Sequence, residues 1–135
     1  MCVFCKIVAN EIPSMKLYED DFVLSFLDIS QVTEGHALVV PKKHCENLYD
    51  LDDESASKLL SASQKVALAL RKTFGLDGLH LINNNGRLAG QSVFHFHIHL
   101  IPRYESDAFV VSFPRNKPDF EKLSATRLKI LDNFD

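Results

Sequence analysis

The stretch "VFHFHIHLIPRY", residues 93–104, carries three of the chain's six histidines, His95, His97 and His99, at every second position. Phe94, Phe96, Ile98 and Leu100 alternate with them. In an extended chain, residues two apart project to the same side, about 6.6 Å from one another. The imidazoles therefore share one face and the apolar side chains the other. An aromatic and aliphatic face demands burial, which predicts a rigid central strand able to hold a reactive group in place. Two chemistries suit the pattern. Alternate histidines can reach a single metal ion, or one imidazole can act as a nucleophile with its neighbours as electrostatic supports.

Immediately upstream lies "NNNGRLAGQS", with Gly86, Gly90, Ser92 and asparagines at 83, 84 and 85. Glycine lets backbone N–H groups approach an anion closely, and serine and asparagine add neutral donors. Because this loop runs straight into the histidines, a phosphate would sit well between the two. At the other end, Cys2-x-x-Cys5 is half of a metal site. With Cys45 the thiols number three, and Cys2 and Cys5 are too close for an ordinary structural disulfide. Reduced thiols or metal ligands are expected.

These residues need elements to position them. "FCKIVANEIPS" begins as a short helix or turn and stops at Pro13. "KLYED" and "FVLSFLD" read as a hairpin around Asp20 and Asp21, and "HALVVP" as a further strand. A long helix is predicted over residues 52–74, capped by Asp50 or Asp52, with Leu59, Leu60, Val66, Leu70 and Phe74 as its apolar stripe and Gly75 as its stop. "LHLIN" reads as a strand before the polar loop. In "DFEKLSATRLKILDNF", Phe120, Leu123, Leu128, Leu131 and Phe134 recur at near-helical spacing, so the chain should end in a helix that packs on its own domain or on a partner. Strands with one long and one terminal helix make the class α+β.

The 135 residues fit one domain, and 46% hydrophobic with 24% charged residues is the balance of an ordinary globular protein. A net charge of -3 argues against a life on the phosphate backbone of nucleic acid, though not against a small nucleotide held by directed groups. The N-terminus has no basic segment followed by a long apolar run, and no stretch is long enough to span a bilayer. A cytoplasmic protein with no membrane association is expected.

"HFHIHLI" resembles the His-φ-His-φ-His-φ-φ motif of the histidine triad superfamily. "CVFCKIVANEIPS", "YEDDFVLSFLDIS", "GHALVVPKKH" and "NNNGRLAGQSVFHFHIHLIPRY" resemble that family's successive blocks in order, nearest to bacterial members of its nucleoside phosphoramidase branch. The resemblance implies a single domain, with residues 1–112 as family core and 113–135 as a helical extension. The fold would be a mostly antiparallel sheet, and the assembly a homodimer paired through the long helix and a sheet edge.

By the same resemblance the substrate is an AMP-like purine nucleotide, cleaved at its α-phosphate. His97 would attack through one ring nitrogen to give a nucleotidyl-histidine, which water then hydrolyses to a nucleoside monophosphate. His36, His99 and Ser92 would complete the catalytic set. Ser92 and the backbone near Gly90 and Gln91 would bind phosphate oxygens, and Asn84 would lie near sugar and phosphate. Asp28 would accept from the ribose hydroxyls, and Phe26 and Ile29 would form the slot for the base. The transferase branch of the superfamily has glutamine at the third triad position; His99 stands there in this chain. That favours hydrolysis, of phosphoramidates, dinucleoside polyphosphates or other adenylated compounds.

Resemblance to zinc-bearing members implies a closed structural zinc site of Cys2, Cys5, His44 and His95, with no catalytic metal. Two other functions compete. One is a zinc-dependent hydrolase with the triad as metal ligands, which leaves Cys2, Cys5 and the phosphate-friendly loop unused. The other is a nucleotide-binding adaptor without significant turnover.

Overall fold

A computed structural model describes residues 2–135. The elements run α1 (Val3–Val8), β1 (Lys16–Glu19), β2 (Val23–Leu27), β3 (Ala37–Pro41), α2 (Asp53–Phe74), β4 (Gly78–Ile82), β5 (Ile98–Arg103) and α3 (Phe120–Leu131). The five strands form one sheet in the order β1-β2-β3-β5-β4, and every neighbouring pair is antiparallel. This is the α+β architecture expected from the pattern of elements.

Local chemistry explains most boundaries. The Asp20 carboxylate accepts from the N–H groups of Phe22 (2.7 Å) and Val23 (2.8 Å), which closes the β1–β2 turn. Asp52 caps α2 by accepting from the N–H of Ser55, and Gly75 ends it in the left-handed region at φ 62°. Before β3, Gly35 sits at φ +93°, where a Cβ would stand 2.9 Å from the Phe74 ring. Only glycine satisfies both the dihedral and the space.

The sheet lies between two helices. On one face α2 buries Leu59, Ala62, Val66 and Leu70 against Val23, Val39, Ile98 and Leu100. On the other, Phe4 and Ile7 of α1 cover Leu24, Phe26, Leu38 and Val40. β2 and β3 are therefore buried on both faces, which is why they read as continuous apolar runs instead of alternating ones.

The histidine segment departs from expectation. The ladder of β5 begins only at Ile98, so His95 and His97 lie in an irregular lead-in. The cause is a set of bonds outside the sheet. The Phe96 N–H donates to the Cys45 carbonyl (2.8 Å), and His95 Nε2 donates to the carbonyl of Pro41 (2.8 Å). The lead-in is thus pinned to the connection after β3. Alternation survives from Phe96 onward, with Phe96, Ile98 and Leu100 in the α2-side core. Phe94 falls outside it and is 40% exposed.

α3 forms as predicted, capped by Asp119, but none of its residues is buried. Among the described residues, no helix is long and apolar enough to cross a membrane.

Candidate active site and metal centre

His97 Nδ1 lies 2.8 Å from the His95 carbonyl. A carbonyl only accepts, so Nδ1 carries the proton and Nε2 is left with a free lone pair. The Phe4 ring meets His97 edge-on with centroids 5.1 Å apart, which fixes the imidazole plane. Burial holds the His97 pKa below the ordinary histidine value, partly offset by the bond to His95 and by Asp28. The imidazole is therefore a neutral base at physiological pH.

His99 is the second residue of the sheet-paired part of the segment, where its backbone registers with Leu38 of β3 and Ile82 of β4. Its Nδ1 is 2.9 Å from His36 Nε2. The Val32 N–H donates to His36 Nδ1 (3.2 Å), so the His36 proton sits on Nε2 and is donated to His99. His99 must then carry its own proton on Nε2. Burial, followed by the neighbouring His97 and His36, pushes the His99 pKa down to about 4. Burial also lowers that of His36, against the pull of Asp28. Asp28 Oδ2 is 3.6 Å from His36 Nε2, and Oδ1 accepts from the Ser30 N–H. Asp28, His36 and His99 approach one another closely enough to suggest a metal trio. The proton on His36 Nε2 is directed at His99 Nδ1, so the two imidazoles form a hydrogen-bonded pair with the Asp28 carboxylate as a nearby counter-charge.

The polar loop, residues 83–92, is built from its own side chains. Asn83 Nδ2 donates to the His97 carbonyl (2.9 Å), and Asn85 Nδ2 donates to Asn83 Oδ1 (2.6 Å). Asn85 Oδ1 accepts from the Leu48 N–H (2.8 Å). These two asparagines were not singled out by the sequence pattern, because three adjacent asparagines carry no local mark of which one is bound. Asn84 turns the other way, toward Gly90, whose φ of +89° opens the loop. Ser92 is exposed at the loop's end.

Gln91 behaves differently from its expected place on the phosphate. It is 4% exposed. Its Oε1 accepts from the Gly86 N–H, and its Nε2 donates to the carbonyls of Glu46 and Val93. Its backbone N–H is also spent, on the Gly86 carbonyl. Gln91 bolts the loop in place and has no donor left for a ligand. Of the expected base slot, Phe26 is buried with its ring edge-on to Phe4, whereas the Ile29 side chain is fully exposed.

Behind the triad, Cys2, Cys5, His44 and His95 converge. Cys2 Sγ lies 3.7 Å from His44 Nδ1 and 3.3 Å from His95 Nδ1. Cys5 Sγ lies 3.4 and 3.5 Å from the same atoms, and the two Nδ1 atoms are 3.1 Å apart. Tetrahedral zinc with thiolate and imidazole ligands sets its donors about 3.3–3.8 Å apart, so these residues fit the ion. His95 donates its other nitrogen to Pro41, the outer bond that a ligating histidine ordinarily makes. Cys45 stays apart as a buried thiol, its pKa pushed up to about 11 by burial. The triad does not gather round one point: His95 Nδ1 faces the cysteines, His97 Nδ1 its own backbone and His99 Nδ1 faces His36. A shared catalytic ion held by all three is thereby excluded.

Comparison with known proteins finds relatives over most of the chain. Residues 9–106 match the HIT domain model. The chain is 53% identical to Protein hit of Bacillus subtilis, over 89% of this chain and 83% of that one. It is 42% identical to the adenosine 5'-monophosphoramidase HNT1 of Saccharomyces cerevisiae, over 99% and 83% respectively. The crystal structure of SMU.412c from Streptococcus mutans superposes with a TM-score of 0.96 at 48% identity, covering 99% of this chain and 85% of that one. A Zn-bound histidine triad family protein from Mycobacterium smegmatis superposes with a TM-score of 0.75 at 38% identity, covering 97% and 95%.

Proposed function

The chain belongs to the HIT domain family, and from that premise we propose that it is a purine nucleotide hydrolase that works through a nucleotidyl-histidine. The observation that carries the proposal is the orientation of His97. Its Nδ1 proton is committed to the His95 carbonyl, so its Nε2 lone pair is the free nucleophilic atom beside the polar loop.

The α-phosphate would lie between His97 and the loop that contains Gly90 and Ser92. The Ser92 hydroxyl and backbone N–H and the Asn84 amide would donate to its oxygens, at the end of a loop whose Ala89, Gly90 and Gln91 N–H groups are bonded within it. Asp28 Oδ2 would accept from the ribose hydroxyls, since Oδ1 is already engaged by Ser30. Phe26 and Ile29 would contact the base. His97 Nε2 forms a bond to phosphorus as the bond from phosphorus to the leaving group breaks. The departing atom leaves hydrogen-bonded to His99 Nε2–H, whose tautomer His36 sets, and takes its proton from water. Water then attacks the phosphorus, the bond to His97 breaks, and a nucleoside monophosphate leaves. Phosphoramidates, dinucleoside polyphosphates and mixed adenylates all present this bond.

Zinc held by Cys2, Cys5, His44 and His95 would be structural: it ties α1 and the segment after β3 to the residue two before the nucleophile. Thiols kept reduced for that purpose suit a cytoplasmic setting. A homodimer is supported by β4, a sheet edge, together with α2. Leu60, Leu68 and Leu81 are exposed there, beside a groove of 570 Å³ lined by α2, β4 and Leu100. A two-fold axis would set β4 antiparallel to its counterpart.

The test is AMP release from an adenosine phosphoramidate and from diadenosine tetraphosphate, by the wild-type chain and by His97→Ala with circular dichroism matched. Mass spectrometry after an alkaline quench, which preserves a P–N bond, should show one nucleotidyl group on wild type only. Turnover by folded His97→Ala comparable to wild type would overturn the proposal. Tight AMP binding without turnover by wild type would turn it into an adaptor.

A further inference from the structure

The sheet's register stops short of His97. β5 pairs with β3 as far as Ile98 and with β4 as far as His99, whose partner there is Ile82. A continuing register would set Asn83 opposite Ile98 and Asn84 opposite His97, but the chain turns into the polar loop instead. His97 thus stands one residue before the paired strand, and its carbonyl is held by a side chain from the loop that continues β4. Asn83 Nδ2 donates to it at 2.9 Å. Among the described residues, no other side chain donates to that carbonyl.

The Asn83 amide has no choice of orientation. Asn85 Nδ2 donates to Asn83 Oδ1 (2.6 Å), and the Leu48 N–H donates to Asn85 Oδ1 (2.8 Å). A carbonyl at one end can only accept and an N–H at the other can only donate, so both amides between them face one way. Leu48 opens a single turn, Leu48–Asp50, which Asn47 and Asp50 close with a capping box. The connection after β3 therefore fastens three consecutive residues. Pro41 takes the His95 ring and Cys45 the Phe96 N–H, while Leu48, through two asparagines, takes the His97 carbonyl.

Resting on the reading of His97 as nucleophile, we infer that Asn83 is a positioning residue for it, and that Asn85 keeps Asn83 in the orientation this requires. The His95 carbonyl and the Phe4 ring fix the plane of the imidazole. The Asn83 amide fixes the backbone from which that ring projects. Both are needed, because a reacting atom displaced by about 1 Å loses on the order of 10²-fold in rate. Asn83 acts through the His97 carbonyl and is therefore distinct from its neighbour Asn84, which turns toward Gly90 on the phosphate side of the loop.

Two substitutions in the full chain test the inference. Asn85→Asp still accepts from Leu48 but cannot donate to Asn83. The Asn83 amide must then turn over to donate to the new carboxylate, which sets its oxygen against the His97 carbonyl. Asn83→Leu removes the donor outright. With an adenosine phosphoramidate, each should lower kcat about 10- to 100-fold and leave KM within about twofold of wild type. The double variant should lose no more than Asn83→Leu alone, because Asn85 acts through Asn83. Circular dichroism matched to wild type establishes that each variant is folded, and Asn85→Asp serves if Asn83→Leu is not. Wild-type kcat in a folded single variant overturns the inference and leaves the chemistry of His97 standing. A loss confined to KM does the same, since the asparagines would then shape the loop for substrate. Additive losses in the double variant also overturn it, by giving Asn85 a separate role. An inactive wild type overturns the hydrolase reading and this inference together.

Discussion

His36 Nε2 lies 2.9 Å from His99 Nδ1, and the Val32 N–H bound to the other side of His36 makes this a bond in one direction only. His36 gives the proton and His99 receives it. A pair set this way presents a single donor, His99 Nε2–H, toward the phosphate. His36→Ala should therefore lower kcat by about 10²-fold with KM little changed, because a His99 ring no longer held in that tautomer loses its hydrogen bond to the charge that develops on the departing atom in the transition state. Steady-state kinetics with an adenosine phosphoramidate checks this. A change confined to KM would mean that His36 merely shapes the pocket.

Asp28 supports a second prediction. If its free oxygen accepts from the ribose, Asp28→Asn should raise KM about tenfold, since an amide accepts more weakly than a carboxylate. Wild type should suffer a similar loss with a 2',3'-dideoxy substrate, and the variant almost none. Equal losses in both proteins would place the ribose elsewhere.

The buried imidazoles give the pH dependence its sign. His99 is held at about 4 in the folded chain, well below the ordinary value for an unfolded histidine. Between those values the unfolded chain binds more protons, so stability rises with pH. Its contribution is full above the ordinary histidine pKa and is lost as pH falls toward about 4. Urea midpoints should drop between pH 7 and pH 5, and His99→Asn should flatten that slope. Activity should follow a different limb: His97 stays unprotonated below the usual histidine range, so kcat/KM should hold steady as pH falls through it.

Zinc removal should act on stability first. Chelation, or Cys5→Ser, should lower the melting temperature by about 10 °C or more, with bound zinc falling from near one per chain to near zero. Without metal, burial and the adjacent Cys2 raise the Cys5 pKa, so the ion must displace protons and zinc affinity should weaken as pH drops. Zinc content by elemental analysis, set beside thermal melts, tests both points. An unchanged melting temperature in zinc-free protein would leave the four residues without a structural role.

Gly35→Ala offers a check on the scaffold. The substitution meets the Phe74 ring at 2.9 Å and a positive φ at once. It should cost about 2–4 kcal/mol in denaturant titrations, more than a surface glycine would. A loss below about 1 kcal/mol would show that α2 and the segment before β3 shift easily.

Much of this was legible before folding because its causes are local. Strand alternation from Phe96 to Leu100, the Asp52 and Gly75 ends of α2, the Asp20 turn and the terminal helix each follow from a few neighbouring residues. The residue types of the triad, the Cys2-x-x-Cys5 pair and the glycine-bearing loop also marked the candidate chemistry unaided. Tertiary structure decided how those pieces divide. His95 and His97 look equivalent in the sequence, yet one turns to Cys2 and Cys5 and the other to its own backbone, because bonds to Pro41 and Cys45 bend the chain before β5 begins. Asn83 and Asn84 are equally alike in sequence, yet Asn83 bonds the His97 carbonyl and Asn84 faces Gly90. Gln91 was read as a ligand contact and is a bolt instead, since its partners Glu46 and Gly86 come from two different loops. A proton's place on His36, a depressed pKa at His99 and the detachment of α3 all depend on what distant segments bring alongside, and no local pattern records that.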